Sequence, residues 1–97
     1  MQNVYHWIIS YDIRNVRRLA HAARIIESYA VRVQKSIYEV KTDTNIIHQI
    51  QRRLRNVINA EEDYILFVPM CESDWQKIER YGIYGETESE NEDYKIL

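Results

Sequence analysis

The chain is poor in the residues that mark disulfide scaffolds and phosphate loops. It has 97 residues, with one cysteine, one proline and two glycines. The single cysteine, Cys71, excludes an internal disulfide and is typical of a reducing compartment. Two glycines exclude a glycine-rich phosphate loop. No apolar run is long enough to span a bilayer. Residues 1–3 carry no basic side chain, so we expect no signal peptide.

Charge is distributed unevenly along the chain, although the formal net charge is only −2. Residues 13–58 contain ten basic and three acidic side chains, whereas residues 86–97 contain five acids and one lysine. The middle of the chain is therefore suited to bind a polyanion, and the acidic end would repel one. The alternative for the middle of the chain is an ordinary solvated basic face.

One stretch, residues 4–12, organises the expected fold. It is almost entirely β-branched or aromatic, which indicates a strand, and it is apolar on both of its alternating faces. A strand of this kind is usually covered on both sides. We expect the chain's own helices to cover one side and a second subunit to cover the other. Asp12 stands where this strand ends.

Two segments have the apolar spacing of amphipathic helices. Residues 16–30 carry apolar side chains at intervals of three and four, and residues 44–57 repeat the pattern. Asn15 is a candidate N-cap for the first helix, and residues 42–44 supply capping side chains for the second.

Three other segments indicate strands. Residues 31–40 alternate, except that a lysine breaks the pattern and predicts a bulge or kink near residues 34–36. Residues 64–68 are continuously apolar, and we expect Pro69 to end that strand. Residues 74–81 are ambiguous between helix and strand, and we assign them to a strand.

This order of elements predicts an α+β fold of the ferredoxin-like βαββαβ type, with two helices on one face of an antiparallel sheet. The other face would remain open and apolar, so we expect a homodimer in which two sheets meet. We place the domain in residues 1–85. Residues 86–97 would form an acidic tail with a short terminal strand at residues 94–97.

Asp12 is the main candidate for chemistry. A carboxylate at a strand end is suited to Mg²⁺ or Mn²⁺, because Mg²⁺ is held by one or two carboxylates with waters. A two-fold axis nearby would add a second copy of Asp12. The alternative, which the residues alone favour, is that Asp12 caps the first helix.

The first helix also brings candidates for binding nucleic acid. Arg14, Arg17 and Arg18 stand at its start and are suited to contact phosphates. Several aromatic side chains could stack on bases, although packing in a core or interface is the commoner role within strands: Tyr5, Trp7, Tyr11 and Tyr38. The three histidines have no metal-ligand spacing, and Cys71 has no visible partner for nucleophilic chemistry.

Several short motifs occur together in a characteristic order. Ser-Tyr-Asp-Ile (residues 10–13) ends the first strand, an arginine-rich helix follows, and Val-Gln-Lys-Ser-Ile-Tyr-Glu occupies residues 33–39. Glu-Glu-Asp (residues 61–63) then precedes an apolar strand. Over residues 4 to about 70 the chain resembles the Cas-two family, the small CRISPR-associated adaptation proteins of prokaryotes.

The resemblance implies a ferredoxin-like homodimer in which the sheets meet across the two-fold axis, often with a C-terminal strand pairing with the other subunit. It implies that Asp12 is the metal-associated acid, with its symmetry mate opposite. It further implies a cytoplasmic endonuclease that uses Mg²⁺ or Mn²⁺ on single-stranded RNA or double-stranded DNA. Alternatively, it implies a DNA-holding dimer that works with the Cas-one integrase in spacer acquisition, where cleavage is dispensable.

Two further alternatives are a toxin-type ribonuclease of the same fold and a purely non-catalytic structural module.

The chain also departs from the family pattern at one turn. Family members usually have glycine where Ala30 stands, so a left-handed turn is disfavoured here and the local backbone is expected to differ.

Overall fold

The structure is a computed structural model that describes residues 3–82. Seven elements lie within this range: β1 (Val4–Asp12), α1 (Val16–Glu27), β2 (Val31–Gln34), β3 (Ile37–Asp43), α2 (Thr44–Arg55), β4 (Tyr64–Met70) and α3 (Glu72–Trp75). The strands form one antiparallel sheet in the order β2-β3-β1-β4. The predicted α+β class is confirmed. The predicted tail and its strand at residues 94–97 lie outside the described residues.

β1 is the centre of the sheet, because it pairs with β3 along one side and with β4 along the other. Its odd-numbered side chains face the helices, where Trp7, Ile9 and Tyr11 are buried in the core. Val4 and Ile8 belong to the opposite face, and Val4 is 53% exposed. The prediction that β1 is apolar on both faces is therefore confirmed for the helix side only, because three of the five residues on the opposite face are polar.

Both long helices begin at the predicted capping residues. The Asn15 side-chain oxygen accepts a hydrogen bond from the backbone N–H of Arg18 at 3.0 Å. The Asp43 carboxylate does the same for the N–H of Ile46, also at 3.0 Å. The idea that Asp12 caps α1 is wrong, because three residues separate it from the helix and Asn15 takes the capping position.

The segment predicted as one strand over residues 31–40 is a hairpin. Lys35 and Ser36 form the turn between β2 and β3, and a register shift between Arg32 and Gln34 adds a bulge. The kink was placed correctly, but it reverses the chain instead of bending it. Lys35 breaks the alternation because it occupies this turn.

The expectation that Pro69 ends its strand is also wrong. β4 continues through Pro69 to Met70, and Pro69 stands opposite Trp7 in the register. Within the described residues β4 is an edge strand, and an edge tolerates a proline because its outer side needs no N–H donor.

The strand assigned to residues 74–81 does not form. Instead, the short helix α3 begins directly after Cys71, and irregular backbone follows it. Trp75 stacks on His6, with ring centroids 4.4 Å apart and planes inclined by 7°. This contact holds the segment against the sheet face opposite α1 and α2, where it pairs with no strand over most of its length.

At Ala30 the chain avoids the left-handed turn. Ser28 ends α1 in the right-handed conformation, and the Ala30 N–H donates to the Ile26 carbonyl at 2.9 Å. Among residues 3–82, no residue other than glycine has a positive φ. No helix in the same range is long and apolar enough to cross a membrane.

Asn15→Ala removes the acceptor that caps α1. We expect the free energy of unfolding to fall by about 1 kcal/mol, the usual cost of losing an N-cap. Asp12→Asn is the matched control, because Asp12 is exposed and caps nothing; we expect it to change stability by less than about 0.5 kcal/mol. Urea denaturation followed by circular dichroism measures both. Equal losses in the two variants would contradict the cap assignment.

Candidate functional site

The Asp12 carboxylate lies at the end of the central strand, opposite Tyr64 in the register with β4. Its side chain is exposed, and it makes no hydrogen bond or ion pair with any of residues 3–82. Among residues 3–82, Asp12 therefore has no structural task that would prevent its carboxylate from binding an external ligand.

Asp12 borders an open groove of about 490 Å³. One wall is apolar and comes from α1, where Val16 is 76% exposed. The opposite wall carries two cations, Arg32 from β2 and Lys35 from the hairpin turn. Because Arg32 is already paired with Glu27, Lys35 is the one of these two cations that remains exposed to an anionic ligand such as a phosphate ester.

The donor set for a metal ion is small. Within residues 3–82 no cluster of three or more histidine, cysteine or acidic side chains could hold a cation. Of the described residues that line the groove, Asp12 alone is an acid. This fits Mg²⁺ only in part, because Mg²⁺ binds through one or two carboxylates together with water and substrate phosphates. A second copy of Asp12 would bring the protein's share to two.

The three arginines predicted to bind phosphate fall into two environments. Arg14 and Arg17 are exposed and form no ion pair with another described residue. Arg18 forms ion pairs within the chain: its Nε is 2.8 Å from the Asp63 carboxylate and its Nη2 is 2.8 Å from the Glu62 carboxylate. These bonds tie α1 to the turn that precedes β4.

The Arg18 contact also stabilises the charged form of its partner. Arg18 donates to Asp63, and the backbone N–H of Asn59 donates to the same carboxylate at 2.8 Å. The guanidinium of Arg18 first, and the Asn59 N–H second, hold the pKa of Asp63 below its usual range. Arg18 is consequently a structural residue in this chain.

The helix layer carries more exposed cations than the sequence prediction included. α1 contains one acid, Glu27, which pairs with Arg32, and α2 contains no acid. Besides Lys35 in the hairpin turn, four other helix arginines are exposed without an ion pair to any described residue: Arg24, Arg52, Arg53 and Arg55. The excess of basic residues in the sequence signalled this surface, but it could not separate these cations from those used internally.

Most of the aromatic candidates for base stacking are in the core. Trp7 and Tyr11 are at most 8% exposed, and Tyr38 is fully buried. Burial first, and hydrogen bonds to Tyr11 and Glu27 second, raise the pKa of Tyr38 above its usual value. Tyr5 is half-buried and packs against the core. Core packing, the alternative role, is confirmed for the three buried rings.

The sheet face opposite the helices is partly covered by the chain itself. The His6 ring contacts the Glu72 carboxylate at 2.7 Å, and Arg80 pairs with Glu39 on β3. Apolar side chains nevertheless remain exposed on this face, including Leu66, which is 43% exposed, and Val31, which is 69% exposed.

These features define a small α+β protein with an arginine-rich helix layer and an exposed acid at the end of its central strand. The family model described as CRISPR associated protein Cas2 matches residues 5–78. The chain belongs to this family, as the sequence motifs indicated.

Curated relatives support the assignment. A protein of Synechocystis sp. named CRISPR-associated endoribonuclease Cas2 3 is 30% identical, over 81% of this chain and 86% of its own length. A Chloroflexus aurantiacus protein of the same name is 32% identical, over 78% and 82% of the two chains. A Thermus thermophilus relative, 28% identical over 67% of this chain and 72% of its own, is named CRISPR-associated endonuclease Cas2 2.

Solved structures share the fold. The crystal structure of Streptococcus pyogenes Cas2 at pH 6.5 matches with a TM-score of 0.70 and 26% identity, over 79% of this chain and 99% of that one. A hypothetical protein from Thermus thermophilus matches with a TM-score of 0.76 and 24% identity, over 84% and 95% of the two chains.

Asp63→Asn tests the structural role of Arg18. A carboxylate with a lowered pKa stabilises the fold above its unfolded-state pKa, and this contribution is lost as pH falls through the folded-state value. We expect the variant to be less stable than wild type at about pH 7, with the difference shrinking towards about pH 3. Urea midpoints across this range measure it.

The matched control for this experiment is Glu61→Gln in the same turn, because the Glu61 side chain is exposed and bonds to no described residue. Its stability should follow that of wild type at every pH. A constant difference between Asp63→Asn and wild type over the whole range would contradict the ion pair.

Proposed function

We propose that this protein acts in CRISPR adaptation as a homodimer that holds double-stranded DNA in a spacer-acquisition complex with the Cas-one integrase. The observation that carries the proposal is the charge of the helix layer. Besides the arginines that form internal ion pairs, α1 and α2 carry exposed arginines that no acid of the described residues neutralises. Membership of the Cas2 family supports the same role.

Exposed arginines of this kind contact the phosphate backbone, which carries no base sequence. Arg14 precedes α1 and Arg17 stands in its first turn, whereas Arg52 and Arg55 stand in the last turn of α2. Binding through phosphates would be strongly dependent on salt and nearly independent of base sequence. Both properties suit a protein that must accept DNA of any sequence.

The dimer would form through the open sheet face. The strand order β4-β1-β3-β2 and the element order support a ferredoxin-like arrangement, in which the helices cover one side of the sheet only. Val4 and Leu66 are exposed on the other side, towards opposite ends of β1, and burying their apolar surface would be favourable. A second copy of the same face would bury them through an isologous interface.

A second candidate activity is hydrolysis of phosphodiesters in RNA or double-stranded DNA. It is favoured by the exposed carboxylate of Asp12, which pairs with no cation of the described residues, and by the names endoribonuclease and endonuclease that the relatives carry. Asp12 and Asp12 of the partner subunit would hold Mg²⁺ or Mn²⁺. A bound divalent cation supplies a hydroxide nucleophile and stabilises charge on the phosphate. The Cas2 match favours this activity over that of a toxin-type ribonuclease.

The chain's own residues would orient the phosphodiester in this activity. Lys35, across the groove from α1, would attract a phosphate oxygen, and the apolar wall at Val16 would exclude water from one side. Because the Asp12 side chain accepts no hydrogen bond from the other described residues, its carboxylate oxygens would be available to a metal ion.

Arg17→Ala tests the phosphate contacts. We expect the affinity for a duplex of arbitrary sequence to fall, and the slope of log K against log salt to lose about 0.9, the value for one phosphate contact on B-DNA. Fluorescence anisotropy over a salt series measures both quantities. Lys77→Ala is the control, because it removes one positive charge from the region of α3, on the other side of the sheet. Equal slopes for wild type and Arg17→Ala would contradict the assignment, as would absence of binding at low salt with the Cas-one integrase present.

Asp12→Asn tests the hydrolytic activity. We expect metal-dependent cleavage to fall by more than about 100-fold. Substituting a residue that only hydrogen-bonds to a metal ligand already lowers metal affinity or activity by about 10- to 100-fold, and the loss of a ligand should cost more. The fold and the salt-dependent DNA affinity should stay unchanged, since Asp12 contributes to neither. Cleavage assays with a Mn²⁺ series, beside anisotropy on the same preparation, separate the two functions. Cleavage that survives the substitution would rule Asp12 out.

A further inference from the structure

A buried hydroxyl network lies directly behind the Asp12 groove. Tyr38 on β3 is fully buried, yet its hydroxyl contacts polar groups from three other elements. It donates to the Glu27 carboxylate at 3.0 Å, accepts from Arg32 Nε at 3.1 Å, and lies 3.4 Å from the Tyr11 hydroxyl. Glu27 and Arg32 also form an ion pair with each other.

The direction of these hydrogen bonds follows from the number of protons available. A carboxylate can only accept and a guanidinium can only donate, so the single proton of Tyr38 goes to Glu27. The Tyr38 oxygen is then an acceptor for both Arg32 and Tyr11. Tyr11 shares its own proton between the Tyr38 oxygen at 3.4 Å and the Lys35 carbonyl at 3.5 Å. Tyr38 thereby uses its full hydrogen-bonding capacity.

The groups that Tyr38 holds are the groups that shape the groove. Tyr11 immediately precedes Asp12, and its backbone N–H donates to the Ser36 carbonyl of the hairpin turn at 3.2 Å. Tyr11, Arg32, Lys35 and Ser36 all line the groove beside Asp12. One phenol thus connects the end of β1, the cationic wall and the end of α1.

We propose that Tyr38 is a positioning residue for the Asp12 groove. Its hydroxyl, held by Glu27 and Arg32, fixes the distance between the end of β1 and the β2–β3 turn. Through Tyr11 it sets the position of the Asp12 carboxylate relative to Lys35. The role in catalysis rests on the proposed hydrolytic function, whereas the mechanical role can be tested without it.

Tyr38→Phe keeps the ring in the core and removes only the hydroxyl. We expect the amide of Tyr11, whose N–H donates to the Ser36 carbonyl, to exchange with solvent at least about fivefold faster, because the link between strand and turn is weakened by about one hydrogen bond. Amides of the α2 core, such as Ile50, should be unaffected. Hydrogen exchange followed by NMR measures each position. Acceleration of all amides by one factor, or of none, would overturn the proposal.

Tyr29→Phe is the matched control. It also removes a tyrosine hydroxyl bonded to an arginine, since Tyr29 accepts from Arg53 at 3.0 Å, but it lies away from the groove. Exchange at Tyr11 should not change in this variant. If Tyr38→Phe does not fold, Glu27→Gln serves instead, because it removes the anion that holds both Tyr38 and Arg32. This variant should also accelerate exchange of the Tyr11 amide.

Cleavage kinetics on the same proteins complete the test. Tyr38→Phe should lower kcat while leaving KM unchanged, because the phosphate contacts remain and only the placement of Asp12 changes. If Tyr11 exchanges faster but kcat is unchanged, the positioning role is refuted. If wild type cleaves nothing, the hydrolytic function fails, and the exchange data alone decide whether Tyr38 fixes the groove.

Discussion

The structure depends on the cover that its central strand requires. β1 must bury Trp7, Ile9 and Tyr11 on one side, and the two amphipathic helices supply that cover from a single face of the sheet. The other side of β1 mixes polar and apolar residues, and the α3 segment covers it in part through the ring that stacks on His6. Apolar side chains that stay exposed on that face, such as Leu66, give a second copy of the chain a physical reason to occupy it.

The same strand determines where chemistry can occur. Asp12 is the last residue of β1. Because Asn15 caps helix α1, the Asp12 carboxylate has no capping role. The hairpin turn between β2 and β3 returns to this end of the strand and brings Lys35 to the same groove. An acid and a cation that are 23 positions apart in the sequence are thus neighbours because of strand pairing.

The arginines of this protein fall into two groups, those in internal ion pairs and those exposed to solvent, and only the structure distinguishes the two groups. Arg18 and Arg32 are engaged with acids of their own chain, where they stabilise the turn before β4 and the buried Tyr38. Arg14 and Arg17 are exposed and pair with no acid of the described residues. A count of basic residues predicts a polyanion-binding surface but treats all of these arginines alike. The distinction depends on acids such as Asp63, which lie far away in sequence and reach Arg18 only after folding.

Much of the fold could be predicted from the residues, and the failures have physical reasons. Asn15 and Asp43 were identified as caps because capping depends on neighbours three positions away. Pro69 was misjudged because its cost depends on whether the strand is at an edge. Residues 74–81 were misjudged because stacking of Trp75 on His6, a long-range contact, decides their conformation. The Asp12 site was indicated by the end of a strand, while Tyr38 was assigned to packing because hydroxyl networks leave no periodic signal.

The central claim is that the open face of the sheet is completed by a second copy, which also completes the pair of Asp12 carboxylates. Sedimentation equilibrium of wild type and Leu66→Asp tests it most directly, since Leu66 is 43% exposed on that face and outside the core. The account predicts twice the single-chain mass of 11.8 kDa for wild type and a folded single chain for the variant. A wild-type protein that stays a single chain at high concentration, or a variant that remains a dimer, would contradict it.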